Sequence, residues 1–303
     1  MTRTPQINFL ADGKRLHLQD GPIDLIIEAS GSNADVHAAY GAAMRRFTGL
    51  LDELCAELPL LRTAATSTRC LLLGLVARRM HHAVASFAAD GFITPMAAVA
   101  GAVAEEILAA MTENAQLSRA YVNNGGDIAL HLAGPENFTV GLADRPDVPG
   151  SLRTMTIDAD DPTRGIATSG RHGRSFSLGI ADAVTVLARA ASQADAAATV
   201  IANAVDLPGH PAILRCRACD LQPDSDLGAR LVTRDVGELS RDEVDDALEA
   251  GAARARQLLG AGLIEGAALR LQGELIGVGT KAIQTPEFRP ILRHSAAEGV
   301  IHV

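Results

Sequence analysis

The sequence lacks an excess of positive charge. Its 303 residues include 27 Lys and Arg against 36 Asp and Glu, which gives a formal net charge of -9. Nucleic acids and anionic membranes are bound through basic surfaces, because their phosphate groups attract positive side chains. The charge balance therefore argues against nucleic acid and against a membrane as partners.

Long apolar runs and cysteines are also scarce. The longest apolar run, "CLLLGLVA" from Cys70, is much shorter than a membrane-spanning helix, and the first residues, "MTRTPQINFLADGKRLHLQ", contain no apolar segment typical of a secretion signal. Four cysteines in a chain of this length do not make a disulfide framework. We expect a cytoplasmic protein, and a hydrophobic content of 48% is enough for a large core.

Strand and helix patterns follow one another in the first third of the chain. "RLHLQ" and "PIDLIIEAS" are typical of strands, and apolar residues from Val36 recur at the spacing of one amphipathic helix that ends at Pro59. A second helix is predicted over residues 70–89, and a third begins after Thr94, a good N-cap. The third helix starts with Ala and Gly, which allow a neighbouring backbone or a flat ligand to approach closely.

The middle of the chain has the pattern of an antiparallel sheet, with strand-like segments separated by Gly, Pro, Asn and Asp. These segments are "RAYVN", "GDIALHL", "NFTVGLA", "LRTMTID" and "GIATS". A helix follows from about Ser192, "SRDE" from Ser240 is a capping box, and "AALRLQGELIGVG" predicts a closing pair of strands. We predict a single α+β domain over residues 1–303, with a mostly antiparallel sheet flanked by helices.

Three short motifs are better explained without specific chemistry. Cys216 and Cys219 in "CRAC" lack the second pair of a zinc site, and they lie in a strand-like segment instead of opening a helix as a redox motif does. His81 and His82 are adjacent, so we expect them to point to different sides of a helix. "GVG" at Gly277 is a bare GxG without a phosphate-binding frame.

Residues 165–203 combine several features of an anion and metal site. "ATSG" follows a predicted strand, and its small residues and hydroxyls can line such a site together with backbone amides. Arg171, His172 and Arg174 come directly afterwards. They offer positive charge to a phosphate in a chain that is acidic elsewhere.

Asp195 and Thr199 lie one turn apart on the predicted helix that follows. Their side chains share one helix face, where two oxygens can bind a hard cation such as Mg²⁺. The alternative is an alanine-rich packing helix, in which Asp195 compensates the helix dipole and Thr199 bonds back to the preceding turn. The local pattern leaves both interpretations open.

The same segments resemble a known superfamily. "GIATSG", followed about 25 residues later by "ADAAAT", resembles the ATSG and ADxxAT motifs of the ApbE-like flavin transferases, and "NNGGDI" resembles their glycine-pair turn. "GPIDLII", "TPMAAVAGAVA", "SFSLGIADAV" and "DSDLGARLV" are similar to an uncharacterised branch of it. The resemblance implies an ApbE-like fold that binds FAD or FMN with Mg²⁺. In the transferases, FMN passes from FAD to a Thr or Ser hydroxyl of an acceptor protein, and AMP leaves.

The resemblance also assigns residues to the site. The magnesium ligands would be Asp195, Thr199 and the carbonyl of Ala198. The residues that line or border the nucleotide would be Gly125, Gly126, Asp127, Thr168, Ser169 and Gly170. Arg171 and Arg174 are added to the nucleotide site by their positive charge next to "ATSG" and not by a family motif.

The chain also departs from the family motifs. The transferases carry a lysine after their glycine and alanine helix, as in GAIAKG, whereas "GAVAEE" places Glu105 there, and Val99 replaces an acidic residue before it. We expect Glu105 to face the nucleotide and to repel its diphosphate. The HxxDPxTG segment is missing, which leaves His172 as the nearby side chain able to act as a base near neutral pH, or as a loop residue that only forms hydrogen bonds.

Three functions remain open on this evidence. The chain is a magnesium-dependent FMN transferase with an acceptor protein, or a flavin-dependent reductase or cofactor-biosynthesis protein acting on a small heterocycle, or a non-catalytic flavin carrier. A reductase keeps its flavin bound through turnover, whereas a transferase releases AMP.

Overall fold

The structure, a computed structural model, describes residues 4–66, 70–143, 152–279 and 300–302. Its strands are β1 (Gln6–Phe9), β2 (Leu16–Asp20), β3 (Ile23–Gly31), β4 (Leu117–Asn124), β5 (Asp127–Leu132), β6 (Asn137–Ala143), β7 (Leu152–Asp158), β8 (Gly165–Ser169), β9 (Ala183–Ala188), β10 (Ile213–Arg217), β11 (Leu231–Val236), β12 (Gly266–Leu271), β13 (Glu274–Val278) and β14 (Val300–His302). Its helices are α1 (Asn33–Phe47), α2 (Leu50–Ala56), α3 (Leu58–Leu61), α4 (Leu75–Ala85), α5 (Val99–Asn114), α6 (Ala191–Ala204), α7 (Ala218–Leu221) and α8 (Arg241–Gly260), and a 3₁₀ turn at Pro95–Ala98 leads into α5.

The largest sheet has nine strands in the order β1-β2-β3-β4-β5-β8-β9-β12-β13. Every neighbouring pair in it is antiparallel. A separate two-stranded antiparallel sheet pairs β10 with β11, and a third sheet has the order β14-β6-β7 with β14 parallel to β6. The predicted α+β class with a mostly antiparallel sheet is therefore confirmed.

The two faces of the large sheet are covered differently. Helices α1, α5, α6 and α8 contact its strands, and the alternating burial of β2 and β3 directs residues such as Leu18 and Leu25 into the core that these helices share. On the other face, Ile128 and Leu130 of β5 form a second apolar cluster with Phe138 of β6. Because side chains alternate along a strand, Ala129 of β5 belongs to the helix side, where its small size lets the helices come close.

The prediction of one continuous helix from Val36 to Pro59 is wrong. The structure breaks it between α1 and α2 at Gly49, whose φ of +83° is in the left-handed region that a non-glycine residue rarely adopts. Pro59 does not end the helix either, because it occupies the first turn of α3, where a missing N–H costs nothing. The periodic apolar spacing survives across the break because both pieces pack on the same core.

The predicted helix over residues 70–89 is shorter in the structure. Residues 70–74 are not helical, and α4 begins at Leu75. Leu72 is buried, whereas Leu71 is 54% exposed and Leu73 is 84% exposed. This alternation is typical of an extended segment. The prediction of a helix here followed from the aliphatic content of "CLLLGL".

The remaining elements largely follow the sequence patterns. The five strand segments in the middle of the chain are β4 to β8, and the closing pair is β12 and β13. Ser240 caps α8 with a complete capping box, since it accepts from the Glu243 N–H and its own N–H bonds the Glu243 carboxylate. The "CRAC" motif differs from its prediction, because β10 ends at Arg217 and Cys219 lies in α7.

One stretch of the described residues, Pro95–Asn114, is long and apolar enough to cross a membrane. In the structure 56% of that window is buried, and its buried side chains belong to the core between α5 and the sheet. A helix buried in a protein core can be as long and as apolar as a membrane-spanning helix.

Candidate functional site

The site is built where the first turns of α5 and α6 meet over the sheet. A Cβ atom added to Gly101 of α5 would lie 2.3 Å from the carbonyl oxygen of Ala191, and one added to Gly165 of β8 would lie 2.2 Å from the carbonyl carbon of Ala190. No side chain fits at these distances, so both glycines are required by close backbone contact. The small residues of "TPMAAVAGAVA" therefore serve helix packing, one of the two roles expected for them.

Asp195 of α6 reaches across this contact to the start of α5. Its Oδ2 accepts a hydrogen bond from the Gly101 N–H at 3.1 Å. Asp195 lies beyond the first turn of its own helix, and that turn contains no acidic residue. The carboxylate therefore faces the positive end of the neighbouring helix α5, and the expected compensation of its own helix dipole does not apply.

Asp127, the first residue of β5, meets Asp195 at the same point. Its Oδ1 accepts the Thr168 N–H from β8 at 3.3 Å. Burial among packed atoms raises the pKa of Asp195 to about 7. Burial and then the charge of Asp195 raise the pKa of Asp127 well above its ordinary value. Within the described residues, no Lys, Arg or His forms an ion pair with either carboxylate.

Thr199 completes the polar stripe of α6 one turn beyond Asp195. Its hydroxyl has no hydrogen-bond partner in the part of the chain that the structure describes. The alternative interpretation requires a bond from the Thr199 hydroxyl to a carbonyl of the preceding turn. Thr112 of α5 makes a bond of this kind to the Leu108 carbonyl at 3.1 Å, but Thr199 does not. Thr199 lines a cavity of about 40 Å³, and Ala198 beside it is buried. The Thr199 hydroxyl is thus available to a ligand.

The ATSG segment ends β8 beside these groups. The Thr168 hydroxyl forms a hydrogen bond of 2.8 Å with the Thr185 hydroxyl of β9, and the Thr168 N–H donates to Asp127. Gly170 has a φ of +150°, and a Cβ atom there would lie 2.6 Å from the Asp182 carbonyl oxygen. This glycine is needed for the turn out of β8, and Ser169 precedes it at the end of the strand.

The glycine pair between β4 and β5 forms a tight turn at the edge of the site. Gly125 and Gly126 have φ values of +65° and +110°, and the Gly126 N–H donates to the Asn123 side-chain oxygen at 2.8 Å. The guanidinium carbon of Arg174 lies 3.5 Å from the position of a Cβ atom on Gly125. The structure therefore brings Arg174 to this turn, and no polar partner for Arg174 occurs among the described residues.

Arg171 and His172 are held by a residue that sequence reasoning missed. Asp182 Oδ1 accepts from Arg171 Nε at 2.8 Å and Nη2 at 2.6 Å, and His172 Nε2 lies 3.3 Å from the same oxygen. Asp182 Oδ2 accepts the Gln272 N–H at 2.6 Å. The charge of Arg171 is therefore compensated within the chain. No local pattern in "SLGIAD" distinguishes Asp182 from a surface aspartate.

Glu105 does not face the nucleotide region as expected. Its Oε1 accepts the Ser192 N–H at 2.6 Å and the Ser192 hydroxyl at 2.8 Å, and its Oε2 pairs with Arg79 Nε at 3.1 Å. Glu105 thus caps the start of α6, just as Asp195 accepts from the start of α5. Its charge is already satisfied by Arg79, so the expected repulsion of a diphosphate does not follow.

Comparisons with known proteins cover most of the chain. The sequence model of the family described as AbpE bacteria matches residues 7–277. A UPF0280 protein of Methanopyrus kandleri is 38% identical over 181 residues, 59% of this chain and 69% of that protein. A UPF0280 protein of Methanothrix thermoacetophila is 38% identical over 134 residues, 43% of this chain and 52% of that protein, so that alignment spans about half of the relative.

One solved structure was also compared with this fold. It is the apo form of the flavinyl transferase ApbE of Pseudomonas stutzeri, which is 12% identical to this chain. The superposition covers 92% of this chain and 94% of that one, with a TM-score of 0.45.

Proposed function

The chain belongs to the family described as AbpE bacteria, and on that premise we propose that it binds a flavin nucleotide together with Mg²⁺ at Asp127, Asp195 and Thr199. The proposal depends on one observation: the carboxylates of Asp127 and Asp195 lie close together, and no positive side chain of the described residues pairs with them. The resemblance of "ATSG" and "ADAAAT" to the ApbE-like flavin transferases supplies the class of ligand.

The donor set fits a hard divalent cation. Mg²⁺ prefers oxygen ligands and keeps waters or substrate phosphates in part of its octahedral sphere. Asp127 and Asp195 would supply carboxylate oxygens, and Thr199 would supply its hydroxyl. The described residues contain no group of three or more His, Cys, Asp or Glu side chains placed to hold a metal, so phosphate or water would supply the remaining ligands. The cation and the nucleotide should therefore bind cooperatively.

Arg174 is the side chain best placed to meet the diphosphate. It lies against the Gly125 turn next to Asp127, without a carboxylate partner in the described residues. A guanidinium can bond two phosphate oxygens at once, which fixes their orientation as well as their charge. Arg171 is not expected to take this role, because Asp182 already binds it.

For transferase chemistry, His172 is the proposed base and Asp182 its positioning residue. If His172 donates its Nε2 proton to Asp182, then Nδ1 is left to accept the proton of an acceptor hydroxyl. The hydroxyl oxygen would form a bond to the FMN phosphorus, and the bond from that phosphorus to the AMP oxygen would break. A bound cation would neutralise charge on the diphosphate. The products are the FMN-modified acceptor and AMP.

A second candidate, a flavin carrier or flavin-dependent reductase, is favoured by the surroundings of His172. Its side chain is 62% exposed, and it shares the Asp182 oxygen with both nitrogens of Arg171. Asp182 is therefore not available to orient His172 alone. In a carrier or reductase, the flavin would stay bound and His172 would be dispensable.

The two candidates are separated by one experiment. The protein is first titrated calorimetrically with FAD, with and without Mg²⁺, and magnesium-dependent binding is expected. It is then incubated with FAD, Mg²⁺ and a flavin-acceptor domain, and the acceptor mass is followed for the gain of one FMN. His172→Gln should abolish that gain, and His37→Gln, a change at an exposed histidine of α1, should not. An absence of FAD binding under both conditions would refute the proposed site, and binding without mass gain would select the carrier or reductase.

A further inference from the structure

A second concave surface lies along the later turns of α5, apart from the carboxylate pair at its start. It is a groove of about 790 Å³ between α1, α4 and α5, and none of the residues proposed for the flavin and magnesium site lines it. Small-molecule sites have volumes of about 300–1,000 Å³. The groove is therefore large enough for a ligand of that class.

The floor of the groove is a closed ion-pair network. Glu106 of α5 is 9% exposed and pairs with Arg46 Nε at 2.7 Å and with Arg79 Nη1 at 2.8 Å. Arg46 also bonds Glu53, and Arg79 also bonds Glu105. These two arginines are already bonded to three carboxylates, so they give the floor its shape but offer no free positive charge.

The wall formed by α4 carries an arginine and two histidines that have no partner among the described residues. Arg78, His81 and His82 line the groove, and none has a side-chain hydrogen bond or ion pair within the described residues. Residues 81 and 82 follow residue 78 by three and four positions, so all three lie on the same side of the helix. The expectation that His81 and His82 point to different sides is therefore wrong for this groove.

We propose that this groove binds a small organic anion, a phosphate or carboxylate attached to an apolar body, through Arg78, His81 and His82. Arg46 and Arg79 of the lining are already bonded to Glu53, Glu105 and Glu106, so the donors left for an anion are those of Arg78, His81 and His82. Glu113 is the carboxylate of the lining without an ion-pair partner among the described residues. Arg and His are the side chains that bind phosphate and carboxylate groups through directed N–H donors. Leu75, 62% exposed, and the neighbouring alanines of α5 offer the contact for the apolar body.

The proposal is tested by calorimetry on the full chain carrying Asp195→Asn, in EDTA, so that the magnesium site cannot contribute. The probes are phenyl phosphate, benzoate and inorganic phosphate. Phenyl phosphate or benzoate should bind with a Kd of about 1 mM or tighter, and the better of the two identifies the anionic group. Inorganic phosphate should bind about tenfold more weakly than phenyl phosphate, because it lacks the apolar body.

Variants then locate the binding. Arg78→Gln combined with His82→Gln should weaken the better probe by about tenfold or more. Arg45→Gln, which removes an exposed arginine of α1 outside the groove, should leave its affinity unchanged. Circular dichroism checks that the double variant is folded, and His81→Gln alone provides a milder change in the same wall. The proposal is overturned if no probe saturates, or if the Arg78 and His82 variant binds like the parent.

Discussion

Two pairs of acidic side chains, one on α5 and one beside its start, differ in the partners that compensate their charge. Glu105 and Glu106 are met by Arg46 and Arg79, whereas Asp127 and Asp195 have backbone N–H donors but no positive side chain among the described residues. Burial would raise the pKa of Glu106, but hydrogen bonds from the two arginines outweigh it and lower that pKa. Burial of Asp195, with no such partner, raises its pKa to about 7.

The difference separates acids that are complete within the chain from the acids that we propose to bind a ligand. A buried charge is tolerated when a partner compensates it, so the Glu105 and Glu106 pair is complete within the chain. The Asp127 and Asp195 pair is complete only when a cation arrives from solution or when a proton is taken up. The comparison therefore assigns stability to the glutamates and ligand binding to the aspartates, and this assignment can be broken by experiment.

The largest effect should come from Arg79→Ala. This change removes a partner of both glutamates and leaves Glu106 buried with only Arg46, so unfolding should become easier by about 3 kcal/mol. Urea denaturation with an unchanged m-value would measure it. Arg256→Ala, which breaks an exposed pair with Glu249, is the control and should change the stability far less. Equal losses in the two variants would remove the structural role of the glutamates.

Asp195→Asn should act on binding instead. Magnesium-dependent FAD affinity should fall by about 100-fold, since loss even of a group that supports a metal ligand costs 10–100-fold. The stability of the metal-free protein should stay equal or rise, because the change removes one of two crowded carboxylates. Calorimetric titration and thermal melting measure the two quantities, and Asp246→Asn on the exposed side of α8 is the matched control. A marked loss of stability with unchanged affinity would make Asp195 a structural acid after all.

Thr199→Val should give a smaller effect of the same kind. The hydroxyl has no partner in the described residues, so its loss should leave the melting temperature unchanged and weaken magnesium-dependent binding by about tenfold. Thr199→Ser keeps the oxygen and should bind as the parent does. If Thr199→Ser weakens binding while Thr199→Val does not, the methyl contact and not the hydroxyl is what the ligand needs.

The smallest effect is a pH dependence of stability. The pKa of Asp195 is about 7 in the folded protein against 3.8 as its ordinary value, so the folded state holds a proton over the range between them. The stability from that proton is complete below pH 4 and is lost as the pH rises through about 7. Without Mg²⁺, the melting temperature should therefore fall from pH 5 to pH 8, by about 2–4 °C for each kcal/mol that is lost.

Mg²⁺ with FAD should remove this fall, and Asp195→Asn should flatten it. The Glu106 contribution has the opposite sign, because its pKa is lowered, and it should be lost only when the pH falls below the ordinary range of a glutamate. A melting temperature that stays constant from pH 5 to pH 8 in the metal-free parent would mean that burial does not raise the pKa of Asp195.

Much of the fold could be predicted because it depends on neighbours along the chain. Alternating residues fixed β4 to β8, and the Ser240 box fixed the start of α8. The helix from Val36 was predicted too long, since the apolar spacing does not register the left-handed turn at Gly49. The single-domain organisation over residues 1–303 and the roles of the individual site residues stay predictions.

The sequence by itself determined where the polar stripe of the site lies, because Asp195 and Thr199 are placed on one face by helix geometry alone. Only the tertiary structure decided what surrounds that stripe. The N–H of Gly101 reaches Asp195 across 94 positions, and Glu105 reaches Ser192 across 87. A local pattern cannot encode such pairings, since they follow from the packing of α5 on α6. Because such pairings are not visible in a local pattern, Glu105 was predicted to face the nucleotide, whereas in the structure it binds the start of α6.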